Sequence, residues 1–379
     1  MTRKKLIDSL TLQFVDIPFQ LKFRHAAAER NRTAAIWITA RSNDGFVGYG
    51  EGCPREYVTG ETVDTAKGFF DEYKNEWIQS ISDLASLISW TEKNESVIDK
   101  NPAAWCAVEL SLLELLACSQ NISVDRLLGL PEINRTFRYT AVVGNSDEDT
   151  FLATSKKYVK MGFTDFKIKL SGDLKSDKRK LALLKDLTSN TIRLRVDANN
   201  LWSDVSLALD YLVQLGELFA IEEPLKAGQY EEMLFLSRSS GIPIILDESF
   251  VRRAQFSSIE KNPSAWIINL RISKMGGLFR SIQIAQRAAQ LDIPIVVGAQ
   301  VGETSLLTRA ALTIANMVDK NCVAQEGAFG TFLLQHDICD PPIMFGVGGE
   351  VDLRFNPEKQ AGFGISYQVN EGMFFTSLK

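Results

Sequence analysis

Short apolar runs alternate with helical stretches from about residue 134 onward, and this alternation restricts the fold more than any other feature of the sequence. The runs are FRYTAVVG, DFKIKL, IRLRVDAN, LFAIEEP, IPIILDES, AWIINLRIS, IPIVVGAQ and CVAQE. Helical stretches such as SDVSLALDYLVQLG and FRSIQIAQRAAQLD separate them. Buried strands that alternate with helices predict a parallel sheet with helical crossovers. Eight such runs in about 200 residues predict an α/β fold with a closed (β/α)-barrel.

A doubly wound open sheet is the alternative arrangement for the same alternation. Such a sheet would carry a glycine-rich phosphate-binding turn, GxGxxG, after its first strand. The sequence at that point is AVVGNSDEDT, which lacks this spacing. The barrel is therefore the preferred prediction.

Two segments of different character flank the barrel pattern. Residues 1–133 begin with strand-like runs around an Asn-Asp-Gly turn signal and continue as helices, which predicts an α+β capping domain. We assign the barrel, with its catalytic site, to residues 134–343. The tail, residues 344–379, contains GVGG and QAGFGISYQV, which indicate turns and strands that return to the capping domain.

Composition and charge exclude several classes of protein. The formal net charge is −5, which offers no basic patch for nucleic acid. No apolar run approaches the roughly 20 residues of a membrane helix, and the basic start lacks the apolar stretch of a signal peptide. The five cysteines are scattered without CxxC spacing, as expected for reduced thiols in a cytoplasmic protein. The sequence leaves open whether the chain forms a homo-oligomer.

Three of the predicted strands end in acidic residues, and Asp197, Glu222 and Asp247 are each 25 residues from the next. One βα unit has about this length, so the carboxylates recur at the same end of successive strands, where barrels carry their active sites. Converging carboxylates repel one another unless a hard divalent cation neutralises them. We therefore predict that these three bind Mg²⁺, with Mn²⁺ as an alternative. Taken singly, each acid could instead cap a helix or pair with a surface arginine. With only His25 and His336 in the chain, a histidine-based metal site is nearly excluded.

Two lysines share one face of the strand that precedes Asp197. Lys167 and Lys169 are two residues apart in DFKIKL, so their side chains point to the same side. A second ammonium and a divalent cation both depress the pKa of a lysine. We predict that one lysine acts as a general base while the other lowers its pKa and contacts the substrate. The alternative is an exposed strand whose lysines reach into solvent.

The motifs KIK, VDAN, IEEP, LDES and KMGG, in this order and spacing, resemble the enolase superfamily and within it the muconate-lactonizing-enzyme subgroup. The resemblance covers nearly the whole chain and implies a barrel of the modified TIM type with an α+β cap. It implies that Lys169, with Lys167 as its partner, removes a proton α to a carboxylate to give an enediolate. Carried over by position, the metal ligands are Asp197, Glu222 and Asp247, and the residues that support them are Asn199, Glu223 and Glu248.

One position departs from the subgroup's pattern. Its second acid/base lysine lies five residues before the first glycine of the Gly-Gly pair, and this position is Arg271 here. Arginine stays protonated in proteins, so it stabilises an anion but is a poor proton acceptor. We therefore expect Arg271 to contribute its charge and the enzyme to be a one-base isomerase or lyase, namely a cycloisomerase or a β-eliminating dehydratase. Lys274, three residues further on, is expected to point elsewhere.

Two other functions remain open. The cap segments 23–33 and 50–62 resemble the specificity loops of dipeptide epimerases, so an epimerase or racemase of dipeptides or N-substituted amino acids is the alternative. Those enzymes carry Asp-x-Asp at the end of the eighth strand, where this chain has AQEGAFGTFLL. A barrel that binds metal and ligand without turnover is the alternative of another class. Together, Arg24, Arg55 and Tyr57 suggest an anionic or hydroxylated end on a small carboxylate substrate. The residues expected to contact that substrate are Arg24, Tyr57, Gln300, Glu303 and Glu326.

Overall fold

A computed structural model represents the chain. It describes residues 6–25, 28–188, 192–354, 361–368 and 374–375, and for residues 21–25, 28–30 and 375 it describes the backbone alone.

The described residues of the N-terminal part, 6–25 and 28–133, form five strands and six helices. The strands are β1 (Ser9–Val15), β2 (Pro18–His25), β3 (Ala28–Arg32), β4 (Ala35–Arg41) and β5 (Val47–Gly52). The helices are α1 (Glu56–Thr59), α2 (Val63–Ser80), α3 (Leu84–Lys93), α4 (Glu95–Ile98), α5 (Pro102–Ser119) and α6 (Val124–Leu127). Strands β1, β4 and β5 form an antiparallel sheet, and β2 pairs with β3 in a separate hairpin.

Strands and helices then alternate along the chain. The strands are β6 (Thr136–Arg138), β7 (Ala141–Val143), β8 (Asp165–Lys169), β9 (Arg193–Asp197), β10 (Ala220–Glu222), β11 (Ile244–Leu246), β12 (Trp266–Leu270), β13 (Ile295–Val297) and β14 (Cys322–Gln325). The helices are α7 (Glu148–Lys160), α8 (Leu174–Thr188), α9 (Val205–Leu215), α10 (Tyr230–Ser240), α11 (Phe256–Ile259), α12 (Ile272–Met275), α13 (Leu278–Gln290) and α14 (Ser305–Met317). Short 3₁₀ turns lie at Arg253–Gln255, Pro263–Ala265, Gly330–Phe332 and Val347–Gly349.

Strands β7 to β14 form one eight-stranded sheet in the order of the sequence, and neighbouring strands are parallel. The first and last strands meet, because the N–H of Thr140, just before β7, donates to the carbonyl of Gln325 in β14 at 2.7 Å. This confirms the predicted α/β barrel.

The described residues of the tail form two short strands. Strand β15 (Glu350–Asp352) pairs with β6, and β16 (Phe374–Phe375) pairs with β1 at the edge of the N-terminal sheet. The domain boundaries at 133/134 and 343/344 remain a prediction.

Side chains fill the barrel in layers, because alternate residues of a strand point inward. One layer is apolar and consists of Ala220, Ile245, Ile267, Val296 and Ala324. Two residues further along four of these strands, the next layer towards the carboxyl ends is polar and includes Glu222, Asp247, Asn269 and Glu326. The apolar layer therefore forms the floor on which the polar groups lie.

Helix α5 is the central helix of the N-terminal part. It spans 18 residues and is apolar enough to cross a membrane, so the expectation that no apolar run approaches that length was wrong. In the structure 89% of this window is buried inside the protein. The helix is apolar on all sides because the sheet, other helices and the barrel segment α12 pack around it.

Strand β5 packs directly on α5 because alternate residues of the strand are glycine. These are Gly48, Gly50 and Gly52, and a Cβ added at Gly50 would lie 1.9 Å from the carbonyl oxygen of Ala107. Backbone cannot move away as a flexible side chain can. The motif VGYGEG therefore specifies a strand that lies against a helix without side chains between them.

We expect Gly50→Ala to lower the free energy of unfolding by about 3 kcal/mol, the upper end of the usual cost of overpacking. The matched control is Gly68→Ala in α2, where a Cβ meets no atom within 4 Å. That change should raise the free energy of unfolding by about 1 kcal/mol, because alanine favours the helix. Denaturant unfolding followed by circular dichroism measures both. Equal stabilities for the parent and Gly50→Ala would contradict the packing described here.

Candidate active site

The carboxyl ends of β9, β10 and β11 place three carboxylates on neighbouring strands. Asp197 lies opposite Glu222 in the parallel register, and Asp247 follows the end of β11 directly. All three are buried, with at most 1% of each residue exposed. A buried carboxylate is costly unless a charge partner compensates it, and each of the three has at least one cationic partner.

Lys169 reaches Asp197 from the neighbouring strand β8. Its Nζ donates to Asp197 Oδ2 at 2.6 Å and to Asn199 Oδ1 at 2.8 Å. Asn199 has a φ of +46°, a left-handed conformation that asparagine tolerates. Asn199 lies two residues after the end of β9, and this conformation brings its side-chain amide to the lysine.

Lys167 lies two residues deeper in the barrel on the same face. Its Nζ is 3.0 Å from Glu222 Oε2, 2.5 Å from Glu326 Oε2 and 3.5 Å from Asp197 Oδ2. Burial lowers the pKa of Lys167, but these three carboxylates outweigh burial and raise the pKa above its ordinary value. Lys167 is therefore a fixed positive charge close to Lys169.

Two cations from the segment after β12 contact Asp247. The Arg271 guanidinium bonds to the Asp247 carboxylate and donates to Gln300 Oε1 at 3.0 Å. Lys274 Nζ donates to Asp247 Oδ1 and to the Asp247 carbonyl, both at 2.8 Å. The expectation that Lys274 points elsewhere was wrong, because the short helix α12 turns the chain back and brings residue 274 to the neighbouring strand end.

Glu223 supports the turn that carries Asp247. Its Oε1 accepts the backbone N–H groups of Asp247 at 2.6 Å and Ser249 at 2.7 Å, and its Oε2 accepts the Ser249 hydroxyl at 2.8 Å. The backbone of Glu223 has a φ of +39°, a strained conformation for this residue type. These bonds fix the direction of the Asp247 side chain.

A cavity of about 50 Å³ remains between these groups. Residues on its walls include Tyr57, Lys167, Lys169, Asn199, Asp247, Glu248, Arg271, Gln300, Glu326 and Phe329. Two buried polar atoms at the walls, Arg271 Nε and Glu248 Oε2, have no hydrogen-bond partner among the described residues. Unsatisfied buried groups at a cavity mark a place where water, an ion or a ligand completes the site.

The chemistry of the three carboxylates fits a hard divalent cation. They offer only oxygen donors, and burial together with the neighbouring carboxylate of Asp197 raises the pKa of Glu222 to about 7. A cation would relieve that repulsion. In the structure each of the three carboxylates contacts a lysine or an arginine. Within the described ranges, no three Asp, Glu, His or Cys residues lie close enough together to hold an ion. Binding of an ion would replace some of these contacts, and the ligand set remains a prediction.

The predicted substrate-binding residues differ in whether the structure places them at the cavity. Tyr57 and Gln300 line the cavity. Glu303 accepts the N–H of Gln300 at 2.6 Å, so it shapes the loop after β13. The side chain of Arg24 lies outside the described residues.

Glu326 lines the cavity, but both of its carboxylate oxygens are engaged. Oε2 accepts from Lys167 at 2.5 Å and Oε1 accepts from Arg195 at 2.8 Å. Arg195 is itself completely buried on β9. In this arrangement Glu326 balances protein cations, and its oxygens are not directed to a substrate ammonium.

Two further residues of the site, Arg195 and Asn269, were not predicted from the sequence. Asn269 Nδ2 donates to Glu222 Oε1 at 3.0 Å from within β12. A signal for both was available, because Arg195 precedes Asp197 by two residues and Asn269 precedes Arg271 by two. Residues two apart on a strand share a face.

Arg55 has a structural role. It is 1% exposed and donates to the carbonyls of Ala34 at 2.8 Å, Pro54 at 2.6 Å and Val301 at 2.7 Å. The interpretation of Arg55 as a substrate contact was wrong, because its guanidinium fastens the cap to the loop after β13.

Comparisons with known proteins agree with this geometry. The family model described as "Enolase C-terminal domain-like" matches residues 150–371. An N-succinyl-L-Arg/Lys racemase from Bacillus cereus is 24% identical over 82% of this chain and 84% of its own length. An L-Lys-D/L-Arg epimerase from Methylococcus capsulatus is 27% identical over 92% of this chain and 95% of its own length.

Solved structures share the whole architecture. A muconate lactonizing enzyme from Pseudomonas fluorescens superposes with a TM-score of 0.85 at 23% identity, covering 96% of this chain and 97% of its own. A dipeptide epimerase from Methylococcus capsulatus, in complex with Mg and the dipeptide L-Arg-D-Lys, superposes with a TM-score of 0.81 at 25% identity. This match covers 96% of this chain and 100% of the epimerase.

The names of the relatives overturn one expectation. A cycloisomerase or dehydratase was preferred because Arg271 replaces a lysine, yet relatives that align over most of the chain are named epimerases and racemases. The replacement of one lysine was insufficient evidence for the reaction type. The family match covers more than half of the chain and the barrel neighbours cover nearly all of it, and the chain therefore belongs to the enolase superfamily.

Proposed function

We propose that this protein is a Mg²⁺-dependent epimerase or racemase that acts at the α-carbon of an N-acylated amino acid. One observation carries the proposal: Lys169, at the end of β8, and Arg271, just after β12, line the same cavity. Strands β9, β10 and β11 lie between β8 and β12 in the sheet, and the three carboxylates lie at their ends. The names of the relatives, and the Mg in a dipeptide epimerase of the same fold, support the reaction class and the ion.

Lys169 would be the base on one face of the substrate. In its neutral form, its Nζ takes the α-proton, and the substrate becomes an enediolate. Asp197 and Asn199, which now accept hydrogen bonds from Nζ, hold the lysine in place. The bound Mg²⁺ would supply electrostatic stabilisation of the substrate carboxylate.

Arg271 would stabilise the anion from the other side of the cavity. Burial lowers the pKa of its guanidinium, but the carboxylates of Asp247, Glu222 and Glu248 raise the pKa by more. The guanidinium thus stays protonated, and its Nε, which has no partner among the residues that the structure describes, would donate to an oxygen of the substrate.

The end of β14 favours an acylated amino group over a free ammonium. Glu326 is engaged by two protein cations, and the residues that follow it are Gly327, Ala328 and Phe329. An adjoining chamber of about 400 Å³ is lined by Phe329, Phe332 and Tyr158, among others. Among the described residues that line this chamber the carboxylate is Asp147, which accepts the N–H of Thr150 at 2.9 Å and its hydroxyl at 2.8 Å at the start of α7. A dipeptide ammonium would have to compete for that carboxylate, whereas the neutral amide of an acyl amino acid does not require it.

The test is an exchange experiment with four probes in D₂O and MgCl₂: N-succinyl-L-arginine, N-succinyl-L-lysine, L-Ala-L-Glu and L-Leu-L-Tyr. We expect deuterium at the α-carbon together with inversion, faster for the N-succinyl compounds, and loss of both on adding a chelator. Proton NMR and chiral chromatography follow the two events. Binding without exchange would favour a barrel that only holds metal and ligand, and exchange with complete retention of configuration would overturn the epimerase.

A further inference from the structure

The cap segment 53–57 lies above the ends of β12 and β13. The N–H of Cys53 donates to Ser273 Oγ in α12 at 2.8 Å. The guanidinium of Arg55 donates to the carbonyl of Val301, in the loop after β13, at 2.7 Å. The donors of these two bonds, Cys53 and Arg55, are two residues apart in the cap. The bonds therefore hold this segment in place against the barrel.

Tyr57 follows this anchored segment, in the short helix α1, and lines the same cavity as Lys169 and Arg271. Its phenol is near enough to Arg271 to interact electrostatically with the guanidinium. Lys169 is on β8, which is separated from β12 by three strands. Tyr57 thus enters the cavity from a segment that is anchored at the ends of β12 and β13, whereas Lys169 enters it from β8.

We propose that Tyr57 is the catalytic residue that carries the proton at the face of the substrate opposite Lys169. This inference rests on the proposed epimerase function. Inversion needs a second proton carrier on the opposite face of the substrate. Arginine holds its proton too tightly to serve as that carrier, so a residue other than Arg271 is required.

One inversion involves two proton transfers, one at each face of the α-carbon. Lys169 takes the α-proton from one face and becomes an ammonium, and the electron pair of the C–H bond passes into the enediolate. The Tyr57 hydroxyl then gives its proton to the α-carbon from the other face and becomes a phenolate. The enzyme form with protonated Lys169 and ionised Tyr57 is the form that inverts the opposite enantiomer, and exchange with solvent interconverts the two forms.

The Arg271 guanidinium is a fixed positive charge on the wall of the same cavity, and such a charge stabilises negative charge that develops near it. Because the Arg271 guanidinium is buried and held by Asp247 and Gln300, it cannot turn away when the charge on Tyr57 changes.

The experiment compares Tyr57→Phe with the parent enzyme, using whichever of the four probes the parent inverts fastest. The change removes one oxygen and keeps the ring. We expect inversion to fall by at least about 100-fold, as is typical for loss of a general acid or base. Deuterium exchange with retained configuration, catalysed by Lys169, should continue within about 10-fold of the parental rate. Tyr73→Phe, in α2 and remote from the cavity, is the control and should leave both rates unchanged.

The ratio of inversion to exchange is the decisive readout, because a general loosening of the site would lower both rates together. Equal loss of both in Tyr57→Phe, or parental inversion in that variant, would overturn the role of Tyr57 while leaving the epimerase in place. A parent enzyme that exchanges with retention only would overturn the proposed function and this inference together.

Discussion

Lys169→Met is expected to abolish exchange of the α-proton, with a loss of at least about 1,000-fold, since a positioned general base contributes roughly 10²–10⁴-fold. Methionine keeps the length of the buried side chain and removes only the amine. No other described side chain occupies the position between Asp197 and Asn199 that Lys169 holds. NMR in D₂O with N-succinyl-L-arginine measures the rate.

Two checks separate this chemical loss from structural damage. Calorimetry should still show Mg²⁺ binding to Lys169→Met, because the three predicted carboxylate ligands are intact. Lys178→Ala, an exposed lysine of the neighbouring helix α8, should exchange at the parental rate. If Lys169→Met retained more than a tenth of the parental exchange, the base would have to be another residue.

Asp247→Asn is expected to weaken Mg²⁺ binding by more than about 100-fold. Loss of a residue that merely supports a metal ligand costs roughly 10–100-fold, and removal of a direct carboxylate should cost more. Titration calorimetry with MgCl₂ measures the affinity directly, without any substrate. The matched control is Asp210→Asn, an exposed carboxylate of α9, which should bind Mg²⁺ as the parent does.

The same substitution should also destabilise the protein in a way that the control does not. Asp247 is the carboxylate that both Arg271 and Lys274 contact, so asparagine leaves two buried cations without that charge. Breaking one buried ion pair typically costs about 3–5 kcal/mol, which denaturant unfolding would detect. A folded Asp247→Asn with parental Mg²⁺ affinity would contradict the ligand assignment.

Local patterns were sufficient for the framework of the molecule. The barrel followed from the period of the apolar runs, because strand alternation and helical crossovers have few other solutions. The position of Lys169 beside Asp197 followed from two facts of a parallel sheet: neighbouring strands are adjacent in the sequence, and their carboxyl ends lie at one edge. The pair Lys167 and Lys169 shared a face for the same local reason.

The direction of side chains outside the strands was not predictable in this way. Lys274 was expected to point away, but the turn of α12 brings it to Asp247. Arg55 was expected to contact a substrate, but its guanidinium bonds to three carbonyls, one of them 246 residues further along the chain. A short helix or a loop has no repeat that relates its side chains to a distant strand. The directions of Lys274 and Arg55 are therefore determined by how the cap and the barrel pack together.

The sequence by itself determined the element order, the barrel and the strand-end carboxylates, because each depends on residues a few positions apart or on one repeated spacing. Tertiary structure alone decided which charges neutralise one another. Lys167 and Glu326 are 159 residues apart and meet because the barrel brings its last strand back beside its first. The placement of Tyr57 in the same cavity as Arg271 has the same origin. Hydrogen bonds whose two ends lie far apart in the chain hold the cap over the ends of β12 and β13, and no local pattern of residues encodes such contacts.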